Sequence, residues 1–388
     1  MSSEVPSFML PAPEPASDLG RYRILSSTAG VRVSPLCLGA MSFGTALAGV
    51  MGAVSAEQAF KIMDAYADAG GNFIDTANNY QNEESETFVG NWMKERDNRD
   101  LMFIATKFSS NYRSWDIGAG KTVNYSGNHK KSLFLSVDAS LKKLQTSYID
   151  LLYMHWWDWT TSIEELMDSL HILVEQGKVL YIGASDTPAW VVSAANVYAR
   201  AHGKPPFSVY QGRWNVMSRD FERELIPMAR HFGMALVPWD VLGGGKLQTQ
   251  AQIESRKAAG EGLRSMWGSE QTETERKASE TLAQVAKDVG TDSIQQVALA
   301  YVMHKARNVF PLVGGRKVEH LQDNIKALKL RLTDDHIKKI EGFQKFDVGF
   351  PSNILGDDPR ESGVTPMMLA PSSHITWQKF GRPISGGN

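Results

Sequence analysis

Short apolar runs typical of buried strands alternate with helical segments along this chain, and this alternation constrains the fold more than any other feature. The predicted strands lie in eight segments: SPLCLGAM, GGNFIDTA, DLMFIATK, IDLLYMH, KVLYIGAS, FSVYQGRW, MALVPWD and NVFPLVGG. The predicted helices cover residues 56–69, 84–96, 133–144, 163–176, 189–201, 222–232, 275–289, 293–305 and 318–328. Because the strands are apolar along their whole length, we expect a parallel sheet that helices cover.

Eight repeats of strand and helix favour a (β/α)8 TIM barrel over an open doubly wound sheet. The open sheet would be expected to carry GxGxxG after its first strand, whereas GAMSFG lacks the third glycine. The predicted barrel spans residues 21–344 and follows an extended, Pro- and Ser-rich arm at 1–20. For the C-terminal tail at 345–388 two interpretations are open: it covers the pocket at the barrel mouth, or it is disordered.

The ends of several predicted helices carry local signals. Ser55 is a predicted N-cap, with Gln58 three residues later in position to complete a capping box. Gly70 and Gly71 supply a left-handed stop at the end of the same helix. Pro188 is expected in the first turn of the helix that follows the fifth strand.

The charge balance and the cysteine count exclude several classes of protein. A formal net charge of −2 over 388 residues argues against nucleic acid or an anionic membrane as the main partner. No apolar stretch is long enough for a membrane helix, and the N-terminus lacks the pattern of a secretory signal. The single cysteine, Cys37, fits a reducing compartment and a buried position. We therefore expect a cytoplasmic protein, whose oligomeric state the sequence does not indicate.

Four polar residues lie at or just beyond the ends of three predicted strands: Asp75 and Tyr80 in NFIDTANNY, Lys107 in LMFIATKF and His155 in IDLLYMHWW. The carboxyl ends of the strands form the catalytic rim of a barrel, so these side chains should converge. A tyrosine with an ordinary pKa near 10 is a poor acid at neutral pH, and a neighbouring ammonium such as Lys107 lowers that pKa. Asp75 can orient the lysine, and His155 can donate a hydrogen bond to a substrate oxygen.

Together these four residues suit the donation of a proton to a carbonyl oxygen while a hydride reaches its carbon. Each residue alone has an ordinary structural explanation. Asp75 could cap a helix, Lys107 could be a solvated strand end, and Tyr80 could be a packing residue. Their joint appearance at strand ends favours the catalytic interpretation.

With these residues the sequence resembles the aldo-keto reductase superfamily, whose members carry an Asp–Tyr–Lys–His tetrad on a (β/α)8 barrel. The segments GGNFIDTANNYQNEESE, LQTSYIDLLYMHWWD, GKVLYIGASDTPAW and PLVGGRKVEHLQDNI are similar to its fungal aryl-alcohol dehydrogenase and norsolorinic acid reductase-like branch. The resemblance covers roughly residues 21–344. It implies NADPH as cofactor and Tyr80 as the general acid.

The resemblance also implies that side chains near the ends of the fifth, sixth and seventh strands bind the nicotinamide. Ser185, Asp186 and Gln211 occupy positions that hold the carboxamide in the superfamily. A carboxylate only accepts hydrogen bonds, so Asp186 could bind the amide NH2 but not its oxygen. Trp239 is implied to stack on the nicotinamide, with a packing role in the core as the alternative.

Two glycine-containing loops, LGGGKL and VGGRKVEHL, are the predicted phosphate sites. Barrel enzymes often bind phosphate with the loops after strands seven and eight, where glycines and a helix start expose backbone N–H groups. Arg316 beside Lys317 suits a 2′-phosphate, which favours NADPH over NADH. The alternative is a pair of tight turns with solvated basic residues. The full set of predicted cofactor-loop residues is Asp240, Val241, Leu242, Gly243, Gly244, Gly245, Lys246, Gly315, Arg316 and Lys317, and the resemblance adds Gln322 and Asn324 on the adenine side.

Aromatic residues follow His155 directly in the sequence. Trp156 and Trp157, with Trp159 nearby, could form a flat apolar slot for an aromatic substrate, or they could pack under a neighbouring loop. Tyr112, Trp115 and Trp214 are weaker candidates of the same kind. No HExxH, CxxC or clustered carboxylates appear, so we expect no metal site.

The sequence thus predicts an NADPH-dependent oxidoreductase that interconverts aromatic or polyketide-derived carbonyls and alcohols. Two alternatives stay open. One is a regulatory subunit of the same fold that senses the nicotinamide redox state. The other is a reductase for small aliphatic or sugar carbonyls.

Overall fold

The computed structural model describes residues 9–258 and 270–380, and its centre is a parallel eight-stranded barrel. The barrel strands are β3 (Cys37–Gly39), β4 (Phe73–Asp75), β5 (Phe103–Phe108), β6 (Ile149–Met154), β7 (Val179–Ser185), β8 (Val209–Arg213), β9 (Ala235–Trp239) and β10 (Leu312–Val313). They pair in the order β10-β3-β4-β5-β6-β7-β8-β9, and the bridge between Leu236 and Val309 closes the ring between β9 and β10. Each strand coincides with one of the eight predicted segments, with β5 extending one residue beyond its segment, so the barrel prediction is confirmed.

Helices surround the barrel and cover the outer faces of its strands. Their bounds are α1 (Ala48–Met51), α2 (Ala56–Asp68), α3 (Glu84–Arg96), α4 (Ser114–Ile117), α5 (Lys130–Leu144), α6 (Ile163–Glu175), α7 (Ala189–Ala201), α8 (Leu225–Phe232), α9 (Gln250–Ala258), α10 (Glu273–Asp288), α11 (Ile294–Lys305), α12 (Val318–Lys326), α13 (Asp334–Glu341), α14 (Ser352–Leu355) and α15 (Pro359–Ser362). The predicted bounds of α3 and α7 are those observed. The predicted start at residue 222 is too early, because residues 220–222 form a separate 3-10 turn before α8.

The predicted cap signals were partly right. Ser55 accepts a hydrogen bond from the backbone N–H of Gln58, as expected. The capping box is wrong, because the Gln58 amide reaches across to the Arg316 carbonyl (3.3 Å) instead of back to Ser55. Gly70 adopts φ 96° at the end of α2, which confirms the left-handed stop. Pro188 is the N-cap of α7 and not a first-turn residue.

An antiparallel hairpin that was not predicted closes the amino-terminal end of the barrel. Its strands are β1 (Arg23–Ser26) and β2 (Ala29–Val33). Leu25, Ala29 and Val33 are buried against the barrel interior. These side chains fill the amino-terminal end of the barrel interior, and their burial removes apolar surface from water. The polar interior residues lie at the opposite end, where the strands finish.

The terminal segments were predicted as an arm at 1–20 and a tail at 345–388. Residues 1–8 and 381–388 lie outside the described structure. Within the arm, Asp18–Gly20 forms one 3-10 turn, and Leu19 is fully buried in the core. The described tail packs along the outside of α8, where Arg230 forms ion pairs with Asp358 and Glu361. These contacts lie on the barrel exterior, and a role of the tail over the pocket stays a prediction.

Residues 9–258 and 270–380 contain neither a grouped set of metal ligands nor a membrane-spanning helix. No three His, Cys, Asp or Glu side chains are grouped so that they could hold a metal ion. No helix in these ranges has the length and apolar character needed to cross a membrane.

Candidate active site

Alternate side chains of a barrel strand face the interior, and the last interior position of several strands carries a polar residue. On β4 the interior residue Phe73 is followed two positions later by Asp75. On β5 the interior residues Phe103 and Ala105 are followed by Lys107. The same period of two leads to four further residues at the carboxyl ends of β6, β7, β8 and β9: His155, Ser185, Gln211 and Trp239. The alternation therefore explains why residues far apart in sequence meet at one end of the barrel.

Asp75 and Lys107 form a buried ion pair on neighbouring strands. Lys107 is 1% exposed, and its ammonium also donates to the Thr76 carbonyl (2.8 Å). The second oxygen of Asp75 accepts a hydrogen bond from the side-chain amide of Gln211 (2.9 Å). The sequence placed Gln211 against the nicotinamide, whereas the structure shows its N–H2 group bonded to Asp75. Each of the two Asp75 carboxylate oxygens therefore has a partner, Lys107 for one and Gln211 for the other.

Tyr80 and His155 complete the group at the rim. The Lys107 ammonium is 5.0 Å from the centre of the Tyr80 ring and interacts with the Tyr80 hydroxyl. The rings of Tyr80 and His155 meet edge to face, with centroids 5.9 Å apart. The structure thus brings together all four residues that the sequence singled out.

A left-handed turn fixes the position of Tyr80. Tyr80 opens a short 3-10 segment in which residues 81–83 all have positive φ, a conformation that non-glycine residues rarely adopt. The buried side chain of Gln81 accepts from the Leu47 N–H (2.7 Å) and donates to the Gly52 carbonyl (2.8 Å). These bonds tie the turn to the rim loop that follows β3.

Burial dominates the electrostatics of this group. It raises the pKa of Tyr80, and the Lys107 ammonium only partly opposes it. The sequence-based expectation of a lowered Tyr80 pKa is therefore wrong for this structure, because burial outweighs the Lys107 charge and the Asp75 carboxylate adds to the rise. Burial also raises the pKa of Asp75, which Lys107 counteracts. Burial would lower the pKa of Lys107, but Asp75 and Tyr80 outweigh it and raise that pKa, which keeps the ammonium charged.

Asp186 and Trp239 lie on the opposite side of the mouth. Asp186 follows β7 with φ 41°, and one of its carboxylate oxygens accepts from the Trp239 indole N–H (3.1 Å). The Asp186 residue is solvent-exposed, yet the walls of the mouth surround its carboxyl group, and this burial raises its pKa to about 6. Trp239 is partly exposed, so the alternative of a core tryptophan does not describe it. Ser185, one residue before Asp186, is buried.

The glycine loop after β9 is a left-handed turn in which the N–H groups of Gly243 and Gly245 donate to the carbonyls of Asp240 (2.9 Å) and Leu242 (3.0 Å). Gly243, Gly244 and Gly245 have φ values of 59°, 64° and 86°. Lys246, in contrast, is 2% exposed, with its ammonium 3.5 Å from Glu275 and donating to the Glu270 carbonyl (3.2 Å). A phosphate contact would require this ammonium to turn away from α10.

The residues that precede the glycines are also engaged with the protein. The Asp240 carboxylate pairs with Arg213 (2.7 Å), and its carbonyl accepts from the Asn215 amide (2.9 Å). Val241 is buried, and Leu242 packs against the core. Any contact of this segment with a ligand would therefore be made mainly by its backbone. Residues 259–269, between α9 and α10, lie outside the described structure.

The second basic loop leads into α12. Arg316 and Lys317 are exposed, Gly315 is partly buried, and Lys317 is the N-cap of the helix. The two adenine-side candidates differ in exposure. Gln322 is exposed, whereas Asn324 is 4% exposed and belongs to the packed face of α12.

The aromatic candidates separate into buried and exposed rings. Tyr112, Trp157 and Trp214 are at most 8% exposed, so the packing alternative describes them. Trp156 is 36% exposed and Trp115 is 54% exposed. The Trp156 indole donates to the Ser110 hydroxyl (3.1 Å).

Comparison with known proteins agrees with this geometry. Residues 35–345 match the model of the aldo/keto reductase family. The chain belongs to the aldo/keto reductase family. The resemblance inferred from the sequence is thereby confirmed, and with it the assignment of the chain as an oxidoreductase on a (β/α)8 barrel.

Fungal aldo-keto reductases are among the proteins similar to this chain. A Saccharomyces cerevisiae protein that carries the name of an aryl-alcohol dehydrogenase, AAD14, is 61% identical over 90% of this chain and 93% of its own length. Norsolorinic acid reductase of Aspergillus flavus is 52% identical over 95% of this chain and 91% of its own length. An aryl-alcohol dehydrogenase [NADP(+)] of Phanerodontia chrysosporium is 52% identical over 89% of this chain and 92% of its own length.

Sequence reasoning missed two residues of this aldo-keto reductase that touch the candidate site. Gln81 follows Tyr80 directly, but a buried glutamine in a left-handed turn leaves no pattern in the sequence. Ser110 contacts His155, with 3.3 Å between its hydroxyl and the imidazole Nδ1. The sequence feature that could have indicated Ser110 is its position on a rim loop, three residues after Lys107.

Proposed function

We propose that this protein is an NADPH-dependent reductase that interconverts aromatic or polyketide-derived aldehydes and ketones with the corresponding alcohols. The observation that carries the proposal is the convergence of the Tyr80 phenol, the Lys107–Asp75 ion pair and the His155 imidazole at the barrel mouth. Carbonyl reduction needs a proton donor, here Tyr80, beside a fixed positive charge, here Lys107, and it is helped by a second hydrogen-bond donor, here His155.

The residues around the mouth fit a nicotinamide dinucleotide phosphate. Three consecutive left-handed glycines form a turn that is open at Gly245, where nothing lies within 4 Å of the position at which a side chain would begin. The exposed Arg316 stands just before the start of α12, where a guanidinium can bind a phosphate in a bidentate manner. The Asp186 carboxylate, which already accepts from the Trp239 indole N–H, offers a further acceptor for an amide N–H2 group at the barrel mouth. NADP(H) is also the usual cofactor of the family and is named for the Phanerodontia relative.

In this mechanism Tyr80 moves the proton. The bound reduced nicotinamide supplies the hydride to the carbonyl carbon. Tyr80 gives its phenolic proton to the carbonyl oxygen, and the resulting phenolate is stabilised by the Lys107 ammonium. His155 donates a hydrogen bond to the same oxygen and holds it near Tyr80. Alcohol oxidation follows the reverse path, with Tyr80 as the base.

The preference for aromatic substrates rests on the rim and on the relatives. Trp115 and Trp156 present partly exposed indole rings on the loops that follow β5 and β6. Flat apolar rings suit an aromatic or fused-ring carbonyl. The names of the relatives, aryl-alcohol dehydrogenase and norsolorinic acid reductase, agree with this class.

The test is turnover by the purified protein with NADPH and a panel of carbonyls. We expect substituted benzaldehydes or fused-ring aryl ketones to consume NADPH faster than sugar aldehydes or short aliphatic aldehydes. Faster reduction of sugar or aliphatic aldehydes would reject the substrate class. NADPH binding without consumption of any carbonyl would reject the enzymatic proposal in favour of a regulatory nicotinamide-binding subunit.

A further inference from the structure

The turn directly after β5 is held in an unusual conformation next to the candidate site. Ser109 has φ 101°, a conformation that costs free energy for any residue with a side chain. Its buried hydroxyl accepts from the Asn128 amide (2.8 Å) and from the His155 backbone N–H (3.3 Å). These bonds join the loop after β5 to the end of β6 and so determine where the next residue, Ser110, lies.

The Ser110 hydroxyl lies between two rings. The Trp156 indole N–H donates to it (3.1 Å), and its oxygen is 3.3 Å from the Nδ1 atom of His155. An indole N–H can only donate, so Ser110 is the acceptor in the first contact. Of the two partners that this hydroxyl has within the described residues, only His155 Nδ1 can accept its proton.

The direction of the second hydrogen bond depends on the charge of the imidazole. Burial, with the Lys107 charge adding to it, lowers the pKa of His155 to about 3. The ring is therefore neutral at physiological pH and carries a single N–H. If Nδ1 accepts from Ser110, that N–H is at Nε2.

We propose that Ser110, oriented by Trp156, is a positioning residue that holds neutral His155 in its Nε2–H form, with Nε2 available to donate to the substrate oxygen beside Tyr80. The opposite form would present a lone pair at Nε2 and would repel the negative charge that develops on that oxygen. This inference rests on the proposed carbonyl reduction for its role in catalysis. The tautomer itself is a property of the protein alone and can be measured without substrate.

The first test is NMR of the full-length protein with 15N-labelled histidine, at neutral pH and without cofactor. Nitrogen shifts distinguish the two tautomers, and His155→Gln assigns the signal. We expect the Nε2–H form in the wild type and in Ser110→Thr, which retains a hydroxyl. Ser110→Ala should show a mixture or the Nδ1–H form. An unchanged Nε2–H form in Ser110→Ala would overturn the proposal.

The second test compares turnover with cofactor binding in the same variants. Loss of one aligned donor to a developing oxyanion costs about 100-fold to 1,000-fold in kcat, so a partial loss of the correct tautomer should cost at least about 10-fold. We expect that loss in Ser110→Ala, recovery in Ser110→Thr, and a smaller loss in Trp156→Phe, which keeps the ring but removes its N–H. The dissociation constant for NADPH should stay within about 2-fold.

The matched control is Ser193→Ala, a serine of similar exposure on the outer helix α7, which should behave as wild type. If Ser110→Ala does not fold, Trp156→Phe still tests the proposal, because it leaves Ser110 without its donor. Equal turnover in wild type and both variants would contradict the positioning role. Absence of carbonyl turnover in the wild type and in all variants would refute the proposed function. The NMR measurement would still decide the tautomer of His155.

Discussion

The two halves of the barrel mouth differ in how far their polar groups are already arranged. On the β4–β6 side, Asp75 and Lys107 are buried and form an ion pair, Gln211 of β8 donates to Asp75, and Tyr80 is fixed by the turn that follows it. On the β9–β10 side, the predicted ligand contacts are backbone glycines and the exposed Arg316. A buried polar network whose members all have partners is rigid, because breaking any one bond leaves a buried polar group unsatisfied. The first half therefore keeps its geometry without a ligand. In the second half the Arg316 side chain is exposed, and a ligand would have to order it.

This difference predicts that substitutions in the first half change turnover and those in the second half change cofactor affinity. The largest effect should come from Tyr80→Phe, which removes the transferable proton but keeps the ring. General acid catalysis contributes about 100-fold to 10,000-fold, so carbonyl reduction should fall by at least about 100-fold. Fluorescence titration should show NADPH binding close to that of wild type.

Tyr22→Phe, an exposed tyrosine near the N-terminus, is the control and should leave turnover unchanged. Near wild-type turnover in Tyr80→Phe would contradict its assignment as the acid. A large loss of NADPH affinity would show that the two halves are not separate.

The second largest effect should come from the cofactor side. Arg316→Ala removes a charged donor worth about 1.5–3 kcal/mol when it contacts a phosphate. We expect the dissociation constant for NADPH to rise by roughly 10-fold to 100-fold, with little change for NADH, which lacks the 2′-phosphate. Arg200→Ala on the outer helix α7 is the matched control. Equal losses for both cofactors would reject the 2′-phosphate contact.

Gln211 tests where the boundary between the halves lies, because the family resemblance assigns it to the cofactor and the structure bonds it to Asp75. Gln211→Leu leaves one oxygen of a buried carboxylate without its donor. We expect kcat to fall by about 10-fold while the NADPH dissociation constant changes by less than about 3-fold. Lost NADPH affinity with unchanged kcat would place Gln211 in the cofactor half. The measurements are kcat from steady-state kinetics and the NADPH dissociation constant from a separate titration.

The fold could be predicted from the sequence because parallel barrel strands are buried on both sides and read as continuous apolar runs. The hairpin β1–β2 was missed because its strands are four and five residues long and interleave exposed residues such as Ile24 with buried ones such as Leu25. Such short mixed segments resemble a loop. Only their packing against the open barrel end makes them strands.

Within the site, the sequence indicated the residues whose position follows from strand alternation. Asp75 and Lys107 are interior residues at strand ends, so their meeting follows from the barrel itself. The partners of Lys246 and Gln58 were not predictable, because each reaches a residue from a distant part of the chain. The pKa of Tyr80 was misjudged for a related reason. The sequence indicates the lysine beside it and the pairing of that lysine with Asp75, but not the degree of burial that raises the pKa.

The smallest expected effect concerns the pH dependence of stability on the pre-formed side. The His155 pKa is about 3 in the folded protein against an ordinary value of 6.5, so the unfolded chain binds more protons between these values. Stability from this residue is therefore present above pH 6.5 and is lost as the pH falls. Between pH 7 and 5.5 the loss should be about 1 kcal/mol, after allowance for the partial exposure of the imidazole. His155→Gln has no titrating group and should lose correspondingly less in urea unfolding at the two pH values. An equal loss in both proteins would mean that His155 is not held neutral, and the fixed tautomer proposed for it would lose its basis.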